Sequence, residues 1–154
     1  MKAHSNPRLQ IIRGLPGSGK SSLAVAKYPH LSRVETDMFF MRGGKYIFTL
    51  DLNKKAVKWF NKTVHNFAKV GMDFVVTGVF AAHTERLNNV VVAGLENGYD
   101  VYIKTLVSDF GNIHNVPKEH LKAMKDSFVS DRQLQKIYRP QGVHFGLMPS
   151  RFSV

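Results

Sequence analysis

Short runs of consecutive apolar residues alternate along this chain with segments in which apolar residues recur every three or four positions. Continuous apolar runs bounded by turn residues are typical of buried parallel strands, whereas the three-to-four spacing is typical of amphipathic helices. The runs predict strands at residues 9–13, 74–77 and 101–107 and a short last strand at 143–145, and residues 32–36 look like a short second strand.

Helices are predicted between these strands, at residues 20–28, 52–70, 85–97 and from Pro117 onward. Asp51 and Thr84 have side chains that favour N-caps, and Gly71 follows the second helix in the way that helix-ending glycines do. Strands that alternate with helices predict an α/β fold with a parallel sheet of about four to five strands flanked by helices.

Residues 14–21, between the first predicted strand and helix, read G-x-x-x-x-G-K-S, which is the P-loop pattern. Its glycines let the backbone curl so that several N–H groups point into one cavity, and the following helix adds its positive dipole end. In such a loop Lys20 reaches the β- and γ-phosphates of a nucleoside triphosphate, and the Ser21 hydroxyl ligates Mg²⁺. A flexible turn is the alternative, but the flanking strand and helix favour the three-layer P-loop NTPase fold. The predicted nucleotide-binding residues here are Gly14, Pro16, Gly17, Ser18, Gly19, Lys20, Ser21 and Ser22.

Asp37 follows the second predicted strand, at the sheet edge where ligands bind in open α/β sheets. A carboxylate there can orient or deprotonate the nucleophile in phosphoryl transfer, or hold a water bound to Mg²⁺. The metal-binding role is considered because the third predicted strand ends in Thr77 and Gly78, where P-loop proteins would be expected to carry the acid that helps to hold Mg²⁺. A turn residue or helix cap is the alternative for Asp37. Residues 38–46, apolar and then glycine-rich, are expected to form a loop over the mouth of this site.

Composition adds a strong positive charge, since 22 Lys and Arg against 11 Asp and Glu give a formal net charge of +11. ATP binding does not require this charge, which favours a phosphate-rich partner such as a nucleic acid over a protein that is merely basic. The length suits a single domain, residues 1–154, and the absence of cysteine excludes disulfides and thiolate zinc sites. The lack of an apolar leader or a membrane-length run predicts a cytoplasmic protein without a membrane partner, in the host cytoplasm if it is viral.

Four stretches of the chain together resemble the P-loop kinase branch that contains phage polynucleotide kinase and related small ATP-binding domains. They are residues 14–22, residues 36–40, residues 75–78 running on to Glu85 and Arg86, and residues 112–117 with Leu121 and Met124. The resemblance implies ATP and Mg²⁺ as cofactors, and a lid-like segment at about residues 108–136.

The same resemblance implies that Asp37 accepts the proton of a 5′-hydroxyl as that group attacks the γ-phosphate. The acceptor would be bound by Asp37 together with Arg42, Thr77 and Arg86. The motif around His114 also matches the family, and hydrogen bonding within its loop is expected of this histidine rather than catalysis.

The chain departs from the family's pattern at positions that contact the acceptor or the phosphates. The arginine that usually follows the aspartate is replaced near Phe40, with Arg42 close by, and the aspartate after the third strand is replaced near Gly78. Two arginines of the lid region are replaced near Gly111 and Ser127.

The nearest basic residues that can replace the missing arginines are Arg132, Lys136 and Arg139. We predict that Arg132 is catalytic and that Arg139 binds the nucleotide, because charge-neutralising arginines accelerate phosphoryl transfer. A solvated basic tail is the alternative interpretation of this segment.

These observations predict an ATP- and Mg²⁺-dependent phosphotransferase whose acceptor is a hydroxyl, most simply the 5′-hydroxyl of a nucleic acid. Lys20, Asp37 and Arg132 are the expected catalytic residues, and Ser21 and Asp37 the expected metal ligands. One alternative is a kinase for a nucleoside, nucleotide or other metabolite, because Phe40 and Gly78 replace a phosphate clamp. The other is a nucleotide- or nucleic-acid-binding module with an eroded active site.

Overall fold

The structure is a computed structural model that describes residues 5–35, 41–42, 45–46, 49–82, 84–108 and 116–149. At residues 41, 42, 45, 46 and 50 it describes the backbone alone.

Five parallel strands form one sheet in the spatial order β2-β5-β1-β6-β7. Its members are β1 (Arg8–Gly14), β2 (Ser32–Glu35), β5 (Phe74–Gly78), β6 (Asp100–Leu106) and β7 (His144–Phe145). A separate antiparallel pair joins β3 (Met41–Arg42) to β4 (Lys45–Tyr46). The predicted parallel α/β sheet is confirmed, whereas the predicted loop over residues 38–46 is wrong at this antiparallel pair, where short-range strand pairing replaces it.

Helices pack on both faces of the sheet. They are α1 (Lys20–Lys27), α2 (Leu50–Val70), α3 (Glu85–Glu96), α4 (Lys118–Ser127) and α5 (Asp131–Tyr138), the last followed by a 3₁₀ turn at Arg139–Gln141. Strand β1 lies at the centre, and its side chains alternate between the two faces. Leu9 and Ile11 pack with the apolar residues of α2, α3 and α5, while Ile12 packs with Ala24 of α1. The result is a three-layer α/β/α arrangement.

The N-terminus of α2 differs from the prediction. Thr49 is the N-cap, and its Oγ1 accepts a hydrogen bond of 3.1 Å from the Leu52 amide. The predicted cap, Asp51, lies in the first turn instead, where a carboxylate faces the positive end of the helix dipole. The predicted caps at Thr84 and Gly71 are confirmed.

Helix α5 was not predicted, because its charged residues resemble a solvated tail. Its apolar residues Leu134 and Tyr138 are completely buried in the core that α2 and α3 share. A capping box formed by Ser130 and Gln133 starts the helix. Residues 131–138 therefore form an amphipathic helix packed on the core and not an irregular tail, while Arg132 and Lys136 are exposed to solvent as the basic-tail interpretation expects.

Candidate functional site

The segment between β1 and α1 wraps into a tight loop at the carboxyl edge of the sheet. Gly17 and Gly19 have φ angles of 81° and 90°, a left-handed region that glycine enters without strain. The Ser18 amide donates to the Leu15 carbonyl at 3.1 Å, which closes the turn. Gly19 is the N-cap of α1 and provides no side-chain cap. The first amides of α1 are therefore available to an anion, which the helix dipole also favours.

Gly14 and Ser18 pack directly against each other. A Cβ atom on Gly14 would collide with the Ser18 hydroxyl and would lie 3.0 Å from the Leu106 carbonyl oxygen. Ser18 is 2% exposed, and its Oγ has no hydrogen-bond partner among the described residues. Buried hydroxyls usually have a partner, so this Oγ, beside the open amides of the loop, is available as a donor to a ligand.

The Lys20 ammonium is folded over the loop. Nζ donates to the Gly14 carbonyl at 2.8 Å and to the Leu15 carbonyl at 3.1 Å, and the residue is 7% exposed. These contacts hold a positive charge directly above the loop. Gly14, Ser18 and Lys20 are thus in contact within one loop, and the nucleotide contacts predicted for residues of this loop stay predictions.

A pocket of ≈ 530 Å³ opens beside this loop. The loop glycines and serines line one end, while Leu23 and Leu106 line an apolar part. This volume lies within the range of ligand pockets, about 300–1,000 Å³, and the mixture of open amides and apolar surface suits a nucleotide. The lining residues are Gly17, Ser18, Gly19, Ser22, Leu23, Leu106 and Ser108.

Several predicted residues lie outside the described part of the chain. Asp37, the predicted base and metal ligand, is among them, as are Phe40, Gly111 and His114. The backbone of Arg42 lies in β3, but its side chain is not described. Their assigned roles therefore stay predictions.

Thr77 is described and lies in β5, where it pairs in register with Ile12 of β1 and with Glu35 of β2. Its side chain is 3% exposed. Its predicted contact with the acceptor stays a prediction.

The ring of Phe80 occupies the space beside Gly78, where the family resemblance leads one to expect an acid. A Cβ atom on Gly78 would lie 2.7 Å from the nearest ring atom of Phe80. Phe80 is 6% exposed, has an unusual φ of 41°, and packs against Phe60 with 6.1 Å between ring centroids. A side chain at position 78 and this ring placement therefore cannot both be accommodated without a shift of the ring.

Arg86, predicted to bind the acceptor, borders the same aromatic cluster. Its guanidinium lies 5.3 Å from the ring centroid of Phe60 and 6.0 Å from that of Phe80. The aromatic faces stabilise the cation electrostatically. The structure thus places Arg86 in a packing role, and its contact with the acceptor stays a prediction.

Arg13 is completely buried at the end of β1, and the sequence reasoning missed it. Nε donates to the Phe80 carbonyl at 3.0 Å, and Nη2 donates to the carbonyls of Ala81 at 3.2 Å and Val129 at 2.8 Å. Nη1 donates to Oγ1 of Thr105 at 3.1 Å. An arginine at the end of the central strand, directly after Ile11 and Ile12, was the available signal, because a buried charge demands several partners.

Two more groups complete the surroundings of Arg13. The guanidinium carbon lies 4.1 Å from the ring centroid of Phe128, and Asp131 accepts a hydrogen bond of 2.7 Å from Thr105. Burial lowers the pKa of Arg13 to about 10, against the opposing effect of the Asp131 carboxylate. The side chain stays a cation near neutral pH.

Helix α5 places the predicted basic residues at different distances from the loop. Thr105 lies at the carboxyl edge of the sheet and contacts Asp131, so α5 begins at that edge. Because β7 is again parallel to β6, α5 runs back along the sheet for about 12 Å. Arg132, in the first turn of α5, therefore lies nearer that edge than Arg139, whose guanidinium is 5.9 Å from the ring centroid of Phe145. Both arginines line a surface pocket that is separate from the one beside the loop, and the catalytic role of Arg132 stays a prediction. The predicted nucleotide contact of Arg139 stays a prediction.

No cluster of three metal-ligating side chains occurs among the residues whose positions are described. Over those same residues, no helix is both long and apolar enough to cross a membrane.

No family model matches the sequence. A chain of the Pnkp1/Rnl/Hen1 RNA repair complex is similar in structure, with a TM-score of 0.64 at 20% identity over 88% of this chain. A gluconokinase from Sinorhizobium meliloti 1021 is also similar, with a TM-score of 0.51 at 14% identity, over 84% of this chain and 79% of its own.

The chain has the fold of the P-loop kinases. A chain of the PezAT chromosomal toxin–antitoxin system of Streptococcus pneumoniae is also similar in structure. The TM-score is 0.55 at 14% identity, and the match covers 91% of this chain and 58% of the PezAT chain. This chain spans about half the length of the repair-complex chain, of which it covers 47%. A shared fold leaves the activity open, because one fold hosts many functions.

Proposed function

We propose that the protein is an ATP- and Mg²⁺-dependent phosphotransferase that acts on a hydroxyl group, and that this hydroxyl is the 5′-OH of a nucleic acid. The observation that carries the proposal is the loop between β1 and α1. It combines two left-handed glycines, an uncapped helix N-terminus, a buried unpaired serine hydroxyl and a lysine ammonium at one point.

Each group of this loop fits one part of a triphosphate. The loop amides and the Ser18 hydroxyl donate to phosphate oxygens, and Lys20 neutralises the β- and γ-phosphates. Ser21, exposed in the first turn of α1, and Asp37 would hold Mg²⁺. When bound, the metal ion neutralises charge on the phosphates. Asp37 would also accept the proton of the attacking hydroxyl, and Arg132, at the loop end of α5, would stabilise the charge that develops.

A nucleic acid acceptor is supported by the surface charge as well as by the similarity to the RNA repair complex. Four lysines of α2 and three basic residues at α5 are exposed, which offers positive charge well beyond the pocket. A polymer with regularly spaced phosphates is the partner that such a surface attracts. The exposed cations are Lys55, Lys58, Lys62, Lys69, Arg132, Lys136 and Arg139.

A small-molecule acceptor is the second candidate, and Phe80 favours it. Where a clamp for a substrate phosphate would otherwise lie, this chain has a buried ring and a glycine. An acceptor without its own phosphate, such as a nucleoside or a sugar, needs no clamp. The similarity to a gluconokinase supports the same candidate.

The proposal treats residues 1–154 as one kinase domain that acts in the cytoplasm, with a lid-like segment at about 108–136. In the described part of that segment lie α4 and the first turns of α5.

Transfer of labelled γ-phosphate tests the proposal. The protein is incubated with Mg²⁺, labelled ATP and a panel of 5′-OH DNA, 5′-OH RNA, nucleosides and sugars. We expect label on the oligonucleotides, and a rate about 10²–10³ lower for Lys20→Ala, because a preorganised charge is lost. Lys27→Ala, an exposed lysine at the other end of α1, is the matched control and should keep the rate.

Each outcome of this panel assigns a function. Label on nucleosides or sugars alone supports a small-molecule acceptor. Label on no acceptor contradicts both the nucleic acid kinase and the small-molecule kinase. ATP binding without any transfer would identify a binding module.

A further inference from the structure

We propose that Arg13 is a positioning residue that couples the phosphate-binding loop to the loop after β5 and to the junction between α4 and α5. The inference rests on the proposed nucleotide binding and concerns how the nucleotide site is held together. Arg13 itself is completely buried and does not line the pocket.

The guanidinium connects parts of the chain that are far apart in sequence. Its three nitrogens donate to the carbonyls of Phe80, Ala81 and Val129 and to the hydroxyl of Thr105, over distances of 2.8–3.2 Å. A planar fork with five N–H donors can satisfy four oxygens at once, which a lysine ammonium cannot do with the same geometry. The next residue in the chain is Gly14, so the first turn of the phosphate loop is attached directly to this cluster.

The first connection leads to the loop that follows β5. Phe80 has a φ of 41°, which non-glycine residues adopt only when their surroundings hold them. The hydrogen bond from Arg13 to the Phe80 carbonyl supplies such a constraint and keeps the ring against Gly78. Loss of the guanidinium should release this backbone, and with it the ring that packs beside Gly78 at the end of β5.

The second connection leads to α4. The Val129 amide donates to the Ala81 carbonyl at 2.5 Å, while the Val129 carbonyl accepts from Arg13 at 2.8 Å. The ring of Phe128 lies on the face of the guanidinium, 4.1 Å from its carbon. Helix α4 has no buried residue of its own. The contacts of Arg13 with Phe128 and Val129 therefore hold the C-terminal end of a helix that is otherwise only partly buried.

Three proteins test the proposal: Arg13→Lys, Arg13→Gln and the control Arg8→Lys. Arg8 lies at the opposite end of β1, is also largely buried, and forms an ion pair with Asp73 at 3.6 Å. The control thus disturbs a buried arginine of the same strand without touching the carboxyl edge of the sheet. Hydrogen exchange of the Val129 amide is measured with and without Mg²⁺ and a non-hydrolysable ATP analogue.

In the native protein we expect the nucleotide analogue to slow exchange at Val129, although this amide does not contact the pocket. In Arg13→Lys we expect exchange without ligand to be about tenfold faster, and the response to the analogue to disappear. The kcat should fall about 10²-fold, since small misplacements of reacting groups have effects of that size, while the Kd for ATP changes less than about threefold. Arg8→Lys should lower the Tm and change none of these quantities.

Unchanged Val129 exchange and unchanged kcat in Arg13→Lys would overturn the proposal. Activity losses that simply follow the Tm in both Arg13→Lys and Arg8→Lys would also overturn it, because they would indicate a purely structural role. If Arg13→Gln fails to fold, the Arg13→Lys variant and the nucleotide-analogue experiment on the native protein still test the positioning role of Arg13. If the native protein binds no nucleotide, the proposed function fails. Hydrogen exchange at Val129 without ligand, compared between the native protein and Arg13→Lys, still tests whether Arg13 holds the junction between α4 and α5.

Discussion

The steric exclusion between Gly78 and Phe80 predicts a specific coupling between two substitutions. In Gly78→Ala the new Cβ would lie 2.7, 2.9 and 3.2 Å from three atoms of the Phe80 ring, against an ordinary contact of about 3.5–4.0 Å. The ring cannot easily retreat, because it is 6% exposed and packs against Phe60. Such overpacking destabilises a core by about 1–3 kcal/mol, and we expect that loss in the free energy of unfolding.

Removing the ring should remove this penalty. Phe80→Ala alone should destabilise by about 3–5 kcal/mol, because it deletes a buried ring and leaves a cavity. In the Phe80→Ala background, Gly78→Ala meets none of the three ring atoms and should change stability by about 0.5 kcal/mol or less. The double-mutant cycle therefore predicts a coupling of about 1–3 kcal/mol.

Urea denaturation of the four proteins of the cycle measures this coupling, with each variant first checked for a two-state transition. A neutral Gly78→Ala in the native background would refute the packing argument. Equal penalties for Gly78→Ala with and without the ring would refute it as well. The same proteins, tested with the acceptor panel, show whether opening this space changes acceptor choice.

Three further predictions concern the helices. Thr49→Ala should lower the free energy of unfolding by about 1 kcal/mol, measured by urea denaturation, because the N-cap of α2 is lost. Asp51→Ala should lower it by less than about 0.5 kcal/mol. A larger loss in Asp51→Ala than in Thr49→Ala would instead indicate that Asp51 is the N-cap. Burial raises the pKa of Tyr138 to about 12, so the folded state retains a proton that the unfolded state loses near pH 10. The free energy of unfolding of the native protein should therefore fall by about 2–3 kcal/mol between pH 10 and 12, and that of Tyr138→Phe should fall less. Identical pH profiles of stability for the two proteins would contradict this prediction. Replacing Arg132 and Lys136 by glutamine should make the salt dependence of oligonucleotide binding shallower by about one unit for each lost phosphate contact, and an unchanged slope would exclude α5 from the interface.

The sheet and most helices follow from the sequence because strand and helix periods are local properties. Thr84 and Gly71, for example, act as the caps that their side-chain chemistry indicates. Helix α5 does not follow, because only tertiary packing shows that Leu134 and Tyr138 reach the core. Thr49 and Asp51 both suit an N-cap, and the actual helix start decides between them.

The candidate site likewise has one part that the sequence predicts and another that it does not. The phosphate loop is contiguous, so its pattern at residues 14–21 is readable from sequence alone. The Arg13 cluster joins oxygens from residues between 80 and 129, and no local pattern encodes such a meeting. The glycine at position 78 is visible in the sequence, but its close contact with the ring of Phe80 appears only in three dimensions.

Binding of Mg²⁺-ATP by titration calorimetry tests the central claim most directly. The account predicts that the native protein and Lys27→Ala bind one nucleotide with equal affinity, and that Lys20→Ala binds at least tenfold more weakly, a difference of about 1.4 kcal/mol. Absence of binding in the native protein, or equal affinity in Lys20→Ala, would contradict the assignment of residues 14–21 as a triphosphate site.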